Sequence, residues 1–203
     1  MKITNIRSWT VKIPWDHNPG AGVVRDPGTR AFIFVQVETD EGINGWGEVT
    51  TYPGSVANRS VAAYVDQIGT WLRGENPANI EAIWHKVVRG MTYVGTRGAT
   101  TAAISAIDIA LWDIRGKVLG QPIYQLLGGP VRDRIALYCH PYKPTSVETI
   151  TASAREIVAS GFQAFKLDPM LHNLPGGNEG YLDGEISANA EAEAMDILAA
   201  ARA

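Results

Sequence analysis

The sequence holds a single cysteine, Cys139. That excludes a disulfide framework and fits a reducing cytoplasm. Blocks of basic residues are missing too. The formal net charge is -3, so nucleic acid is not an expected partner. No apolar leader opens the chain, because Met1-Lys2-Ile3-Thr4-Asn5-Ile6-Arg7 alternates polar and apolar residues, unlike a signal peptide. No long hydrophobic run appears either. The most apolar stretch, about 102–114, is interrupted by Asp108 and Asp113 and is too short to span a bilayer. The expectation is a soluble, cytoplasmic protein without a membrane partner. A Walker loop, a dinucleotide fingerprint, a zinc-like His/Cys cluster and a nucleophile elbow are all absent from the sequence. Hydrophobic residues make up 45% of the 203 positions and charged ones 19%, so a real core can form.

The pattern changes along the chain. Residues 2–13 read as a strand with Trp9, Val11 and Ile13 on one face, ended by Pro14. A long aperiodic segment, 15–30, follows; such a length suits either a solvated hairpin loop or a binding loop. Residues 31–39 and 43–49 read as two more strands around the turn Asp40-Glu41-Gly42, giving an antiparallel meander. Val61, Tyr64, Val65, Ile68, Trp71 and Leu72 fall on one helical face, closed by Gly74 and Pro77. Ile80, Ile83, Trp84, Val87 and Val88 repeat the pattern. After a glycine-containing loop at 90–98, residues 99–119 are apolar nearly all round and should be buried. Gly120 and Pro122 stop that helix.

Past Leu127-Gly128-Gly129-Pro130 the rhythm becomes strand, helix, strand, helix. Residues 135–139 read as a short strand. Thr145-Ser146-Val147-Glu148 is a capping-box signature, and Val147, Ile150, Ala154, Ile157 and Val158 form the inner face of the helix it opens, ended by Gly161. Residues 162–167 read as a strand, 168–187 as a loop, and a last helix begins near Ala188. This is the order of a parallel sheet. Two parallel strands cannot be buried on both faces alone, so the second part reads as unfinished.

Several residues could carry chemistry. Ala164, Lys166 and Asp168 share one strand face, with Phe165 and Leu167 on the other. Lys166 and Asp168 therefore emerge at the C-terminal end of a parallel strand, where α/β proteins build active sites. They read either as a strand-end salt bridge or as a carboxylate-binding lysine with a proton-handling partner. His140 ends the preceding strand and opens onto the same mouth. His172 lies in the following loop and His17 in the long N-terminal one; each suits proton transfer or simple solvation. Asp108 reads as a structural carboxylate bonded to a neighbouring helix or a backbone donor. Cys139 reads as a packed apolar side chain.

Two runs carry a resemblance. Asp40-Glu41-Gly42-Ile43-Asn44-Gly45-Trp46-Gly47-Glu48 is one. Ala102-Ala103-Ile104-Ser105-Ala106-Ile107-Asp108-Ile109-Ala110-Leu111-Trp112-Asp113, continuing through Gly116-Lys117 to Gly120-Gln121-Pro122-Ile123-Tyr124-Gln125-Leu126-Leu127-Gly128-Gly129, is the other. In order and spacing they resemble the capping-domain hairpin and buried helix of the mandelate racemase and muconate lactonizing enzyme family, within the enolase superfamily. The resemblance extends over essentially the whole chain.

It implies an α+β capping domain, 1–130, built of a three-stranded antiparallel meander and a helical bundle. Residues 131–203 would be the first βα units of a modified TIM barrel, incomplete in this chain. It implies a small-molecule carboxylate substrate and a homo-oligomer. Segment 15–30, with His17 and Arg25, would form a flap over the substrate, and 49–54, with Tyr52, a second wall; His140 and His172 complete the expected substrate-binding set. Mg²⁺, with carboxylate ligands expected beyond residue 203, would bind the substrate carboxylate and stabilise the enediolate left by removal of the alpha proton. The family's Lys-x-Lys motif stands here as Lys166-Leu167-Asp168. Lys166 matches the lysine that contacts the carboxylate, and Asp168 replaces the base. That departure favours a sugar-acid dehydratase, with a racemase, epimerase or cycloisomerase on the same scaffold, or a non-catalytic fragment or assembly module, as alternatives.

Overall fold

The computed structural model describes residues 1–14, 29–49, 55–141, 146–167, 169 and 187–202. Two compact units divide the described residues between Val131 and Arg132.

In the first unit, β1 (Ile3–Pro14), β2 (Thr29–Thr39) and β3 (Gly45–Val49) form an antiparallel sheet in the order β1-β2-β3. The expected turn closes β2 onto β3: Gly42 has φ 76°, and its N–H donates to the Thr39 carbonyl at 3.2 Å. Positive φ suits glycine there. Three helices follow, α1 (Ser55–Leu72), α2 (Ile80–Gly90) and α3 (Ala99–Leu119), then the single turn α4 (Ile123–Leu126). Ile33, Val35 and Val37 of β2 are fully buried with Val61, Val65, Ile68 and Leu72 of α1 and with Ala103, Ala106 and Ala110 of α3.

The core-facing side of β3 is glycine. A Cβ on Gly45 would lie 2.0 Å from the Ala110 carbonyl oxygen, and one on Gly47 would lie 1.8 Å from that of Ala106. The strand backbone therefore rests directly on the α3 backbone. The seam is also bonded at its end. Asp113 accepts from the Trp46 N–H at 2.8 Å and from Lys117 Nζ at 2.6 Å, and Lys117 donates to the Asn44 carbonyl at 2.7 Å. The Asp113–Lys117 pair, four residues apart, thus clamps the hairpin as well as bridging one helical turn. Gly120, left-handed at φ 60°, ends α3, with Gly120 N–H to Lys117 O and Gln121 N–H to Gly116 O.

Trp9, Val11 and Ile13 share a face as expected, and it is the outer one, exposed beside Phe34 and Trp46. The core takes the opposite face of the sheet, where Ile6, Ile33, Val35 and Val37 lie, so strand alternation turns these three outward. Two helical faces differ from expectation: Trp84 is exposed on α2, and Ile109, Val118 and Leu119 are exposed on α3. Asp108 is half-buried and, among the described residues, has no hydrogen-bond partner, contrary to the expected structural bond.

In the second unit, α5 (Val147–Ala159) packs on α6 (Ala188–Arg202). Its capping box lies one residue later than expected. The Ser146 side chain accepts from the Thr149 N–H at 3.2 Å, and Thr149 Oγ1 accepts from the Ser146 N–H at 2.9 Å. The Thr149 hydroxyl takes the place of the usual Glu or Gln side chain in this box, and Glu148 stands in the first turn, where a negative charge is favourable. Ile150 and Ile157 are buried, whereas Val147 and Val158 are exposed. The two expected strands reduce to one parallel bridge, Cys139 to Phe165. Slanted parallel pairing needs cover on both faces, and Ile135, Leu137 and Tyr138 are exposed. No helix among the described residues is long and apolar enough to cross a membrane.

Gly47→Ala is expected to lower unfolding free energy by about 2–3 kcal/mol, since the methyl has no space against a backbone carbonyl. Urea denaturation checks this. Ser146→Ala removes one half of the α5 cap and is expected to lower stability by about 1 kcal/mol, seen as faster hydrogen exchange at the start of α5.

Candidate active site

Among the described residues, the candidate site residues Lys166 and His140 lie in the second unit. Phe165 and Leu167 pack against Ile150 of α5 and Ile197 of α6. Their burial turns the alternate residue, Lys166, to the exposed side. Lys166 N–H donates to the Cys139 carbonyl at 2.9 Å. This bond fixes the parallel register, so His140 and Lys166 each stand one residue beyond the Cys139–Phe165 bridge, side by side and both exposed.

One neighbour was not singled out from the sequence. The Tyr138 ring lies 5.9 Å from the His140 ring, tilted by 54°. Residues two apart on an extended strand point the same way, and that spacing was the available signal. Tyr138, His140 and Lys166 thus present an aromatic face, an imidazole and an ammonium along one edge. Such a set can bind a polar anion: the ammonium supplies charge, the imidazole donates or accepts one proton, and the phenol offers a further hydrogen bond.

The remaining expected residues, Asp168, His17, Arg25, Tyr52 and His172, lie outside the described residues. Among the described residues no group of three or more His, Cys, Asp or Glu side chains is arranged to hold a metal ion, so none of them is assigned to Mg²⁺.

Residues 5–128 match the mandelate racemase / muconate lactonizing enzyme N-terminal domain. The chain belongs to this family. An enolase-superfamily member from Salmonella Typhimurium has a similar structure, with TM-score 0.79 and 30% identity over 99% of this chain and 51% of its own. The family fold is therefore present as a capping sheet with its helices, followed by partial βα units of the barrel. Among curated relatives, the D-galactonate dehydratase of Pectobacterium atrosepticum is 38% identical over 168 residues, 83% of this chain and 38% of its own length. That of Ralstonia nicotianae is 41% identical over 137 residues, 68% of this chain and 35% of its own length. The 3,6-anhydro-D-galactonate cycloisomerase of Zobellia galactanivorans has TM-score 0.67 and 30% identity over 81% of this chain and 42% of its own. The chain spans little more than a third of the length of those curated relatives.

Proposed function

We propose that the complete protein of which this family member is a part is a sugar-acid dehydratase. The observation that supports this most is the 38% identity to a D-galactonate dehydratase over 83% of the chain. In this reading the substrate is an aldonate or a similar 2,3-dihydroxy acid. A base takes the proton alpha to the carboxylate, the β-hydroxyl leaves as water after gaining a proton, and the resulting enol becomes a 2-keto-3-deoxy acid. Mg²⁺, when bound, supplies charge that stabilises the enediolate.

This chain's own residues take narrower parts. The Lys166 ammonium contacts the substrate carboxylate and spreads its charge, which makes the alpha proton easier to remove. Asp168 stands where the family motif has its basic lysine. A carboxylate there is a weak base unless its pKa is raised, so Asp168 orients Lys166 or passes a proton. His17, Arg25, Tyr52, His140 and His172 bind the substrate's hydroxyl and carboxylate groups. Proton removal from one face suffices for elimination, whereas inversion needs bases on both faces. The protein works as a cytoplasmic homo-oligomer in this reading.

The Zobellia cycloisomerase keeps a second reading in view, an isomerase on the same scaffold. A semicarbazide screen of sugar acids with the complete, Mg²⁺-loaded protein separates the two. A 2-keto acid product is expected; solvent deuterium at the alpha carbon without loss of water would favour the isomerase, and no turnover of any acid would sink both. Lys166→Ala is expected to lower turnover about 10²–10³-fold with an unchanged circular dichroism spectrum.

A further inference from the structure

α3 places one carboxylate in an apolar setting. Asp108 lines a pocket with Ile104 of its own helix, Ile68 of α1, and Ile83, Trp84 and Val87 of α2. The opening is about 10 Å³, room for one water molecule at most, so it is no ligand site. Among the described residues nothing hydrogen-bonds the Asp108 carboxyl. α1 meets it with an uncharged side chain. α2 brings Glu81, whose charge repels it. The other titratable groups nearby on α2 are committed elsewhere. Lys86 bonds Glu75 and the Trp71 carbonyl, and the His85 ring meets Trp84 edge-on at 5.1 Å. Arg115, two turns along α3, reaches the Ala78 carbonyl at 3.4 Å.

We propose that Asp108 makes the seating of α2 against α1 and α3 pH-sensitive, with ionisation of this carboxylate loosening α2. A neutral carboxyl sits against an apolar pocket at modest cost, but a carboxylate there has lost part of its solvent without gaining a donor. Burial, and secondarily Glu81, raises its pKa above the ordinary carboxylate value. The folded chain therefore holds this proton to a higher pH than the unfolded chain does. Its contribution to stability is whole below the ordinary value, about pH 3.9, and is lost as pH rises through the raised folded value.

The test is thermal unfolding of wild type, Asp108→Asn, Glu81→Gln and His85→Gln between pH 4 and pH 8. Asp108→Asn is expected to unfold about 2–4 °C higher than wild type at pH 8, with the gap closing towards pH 4. Glu81→Gln is expected to close part of the same gap, and His85→Gln to leave the pH-dependence as in wild type. Hydrogen exchange, corrected for its intrinsic pH-dependence, is expected to show α2 amides opening more readily at pH 8 than at pH 5 in wild type but not in Asp108→Asn. A gap independent of pH, an Asp108→Asn protein less stable than wild type at pH 8, a pH-dependence that disappears in His85→Gln, or α2 exchange indifferent to pH would each overturn the proposal.

Discussion

The first unit depends on how closely β3 lies on α3. Where a Cβ would sit 1.8–2.0 Å from a carbonyl oxygen, no side chain can be admitted without moving a strand or a helix. Two glycines and the small helix residues Ala106 and Ala110 make the contact possible. The hydrogen bonds from Trp46 N–H to Asp113 and from Lys117 to the Asn44 carbonyl then hold the strand in place along the helix. Packing between backbones has few degrees of freedom, because backbone atoms cannot change rotamer as a side chain can.

The same constraint decides what the other side of the sheet looks like. Strand alternation places Trp46 outward once Gly45 and Gly47 face α3. Its ring then stands 5.3 Å from that of Trp9, on a face shared with Val11, Ile13 and Phe34. The glycine-tryptophan-glycine triplet is thus one device seen from two sides, a close approach within and an aromatic pair without.

Features set by local chemistry could be read from the sequence. The Gly42 turn and the helix end at Gly120 are conformations few other residues adopt cheaply, and the inner face of α1 follows from its period. What could not be read is which of two apolar faces meets the core. β1 carries Ile3 and Ile6 on one side and Trp9, Val11 and Ile13 on the other, and periodicity alone does not rank them. The parallel strands pair as expected but over a single bridge, Cys139 to Phe165, for a related reason: apolar runs such as 135–139 announce burial, but the extent of pairing depends on partners distant in sequence. At the candidate site, strand-end position singles out Lys166 and His140 in the sequence. Tyr138 is harder to read, because an aromatic in an apolar run looks like core, although its two-residue spacing from His140 puts it on the same edge.

Lys166 illustrates how packing sets a residue's direction without setting its chemistry. Phe165 and Leu167 are held against Ile150 and Ile197, so any residue at 166 points away from that core. The alternation would place a second lysine at 168 on the same side, which is the arrangement of the family's Lys-x-Lys motif. The sequence has aspartate at 168, so in the proposed function the Lys166-Leu167-Asp168 run supplies one donor and one acceptor rather than two donors. In that reading the run offers a substrate carboxylate one cation and one potential anion, which neutralises it poorly. In the same reading the base that removes the alpha proton is a group other than this pair. This is why the proposed chemistry assigns this edge to holding the substrate rather than to taking its proton.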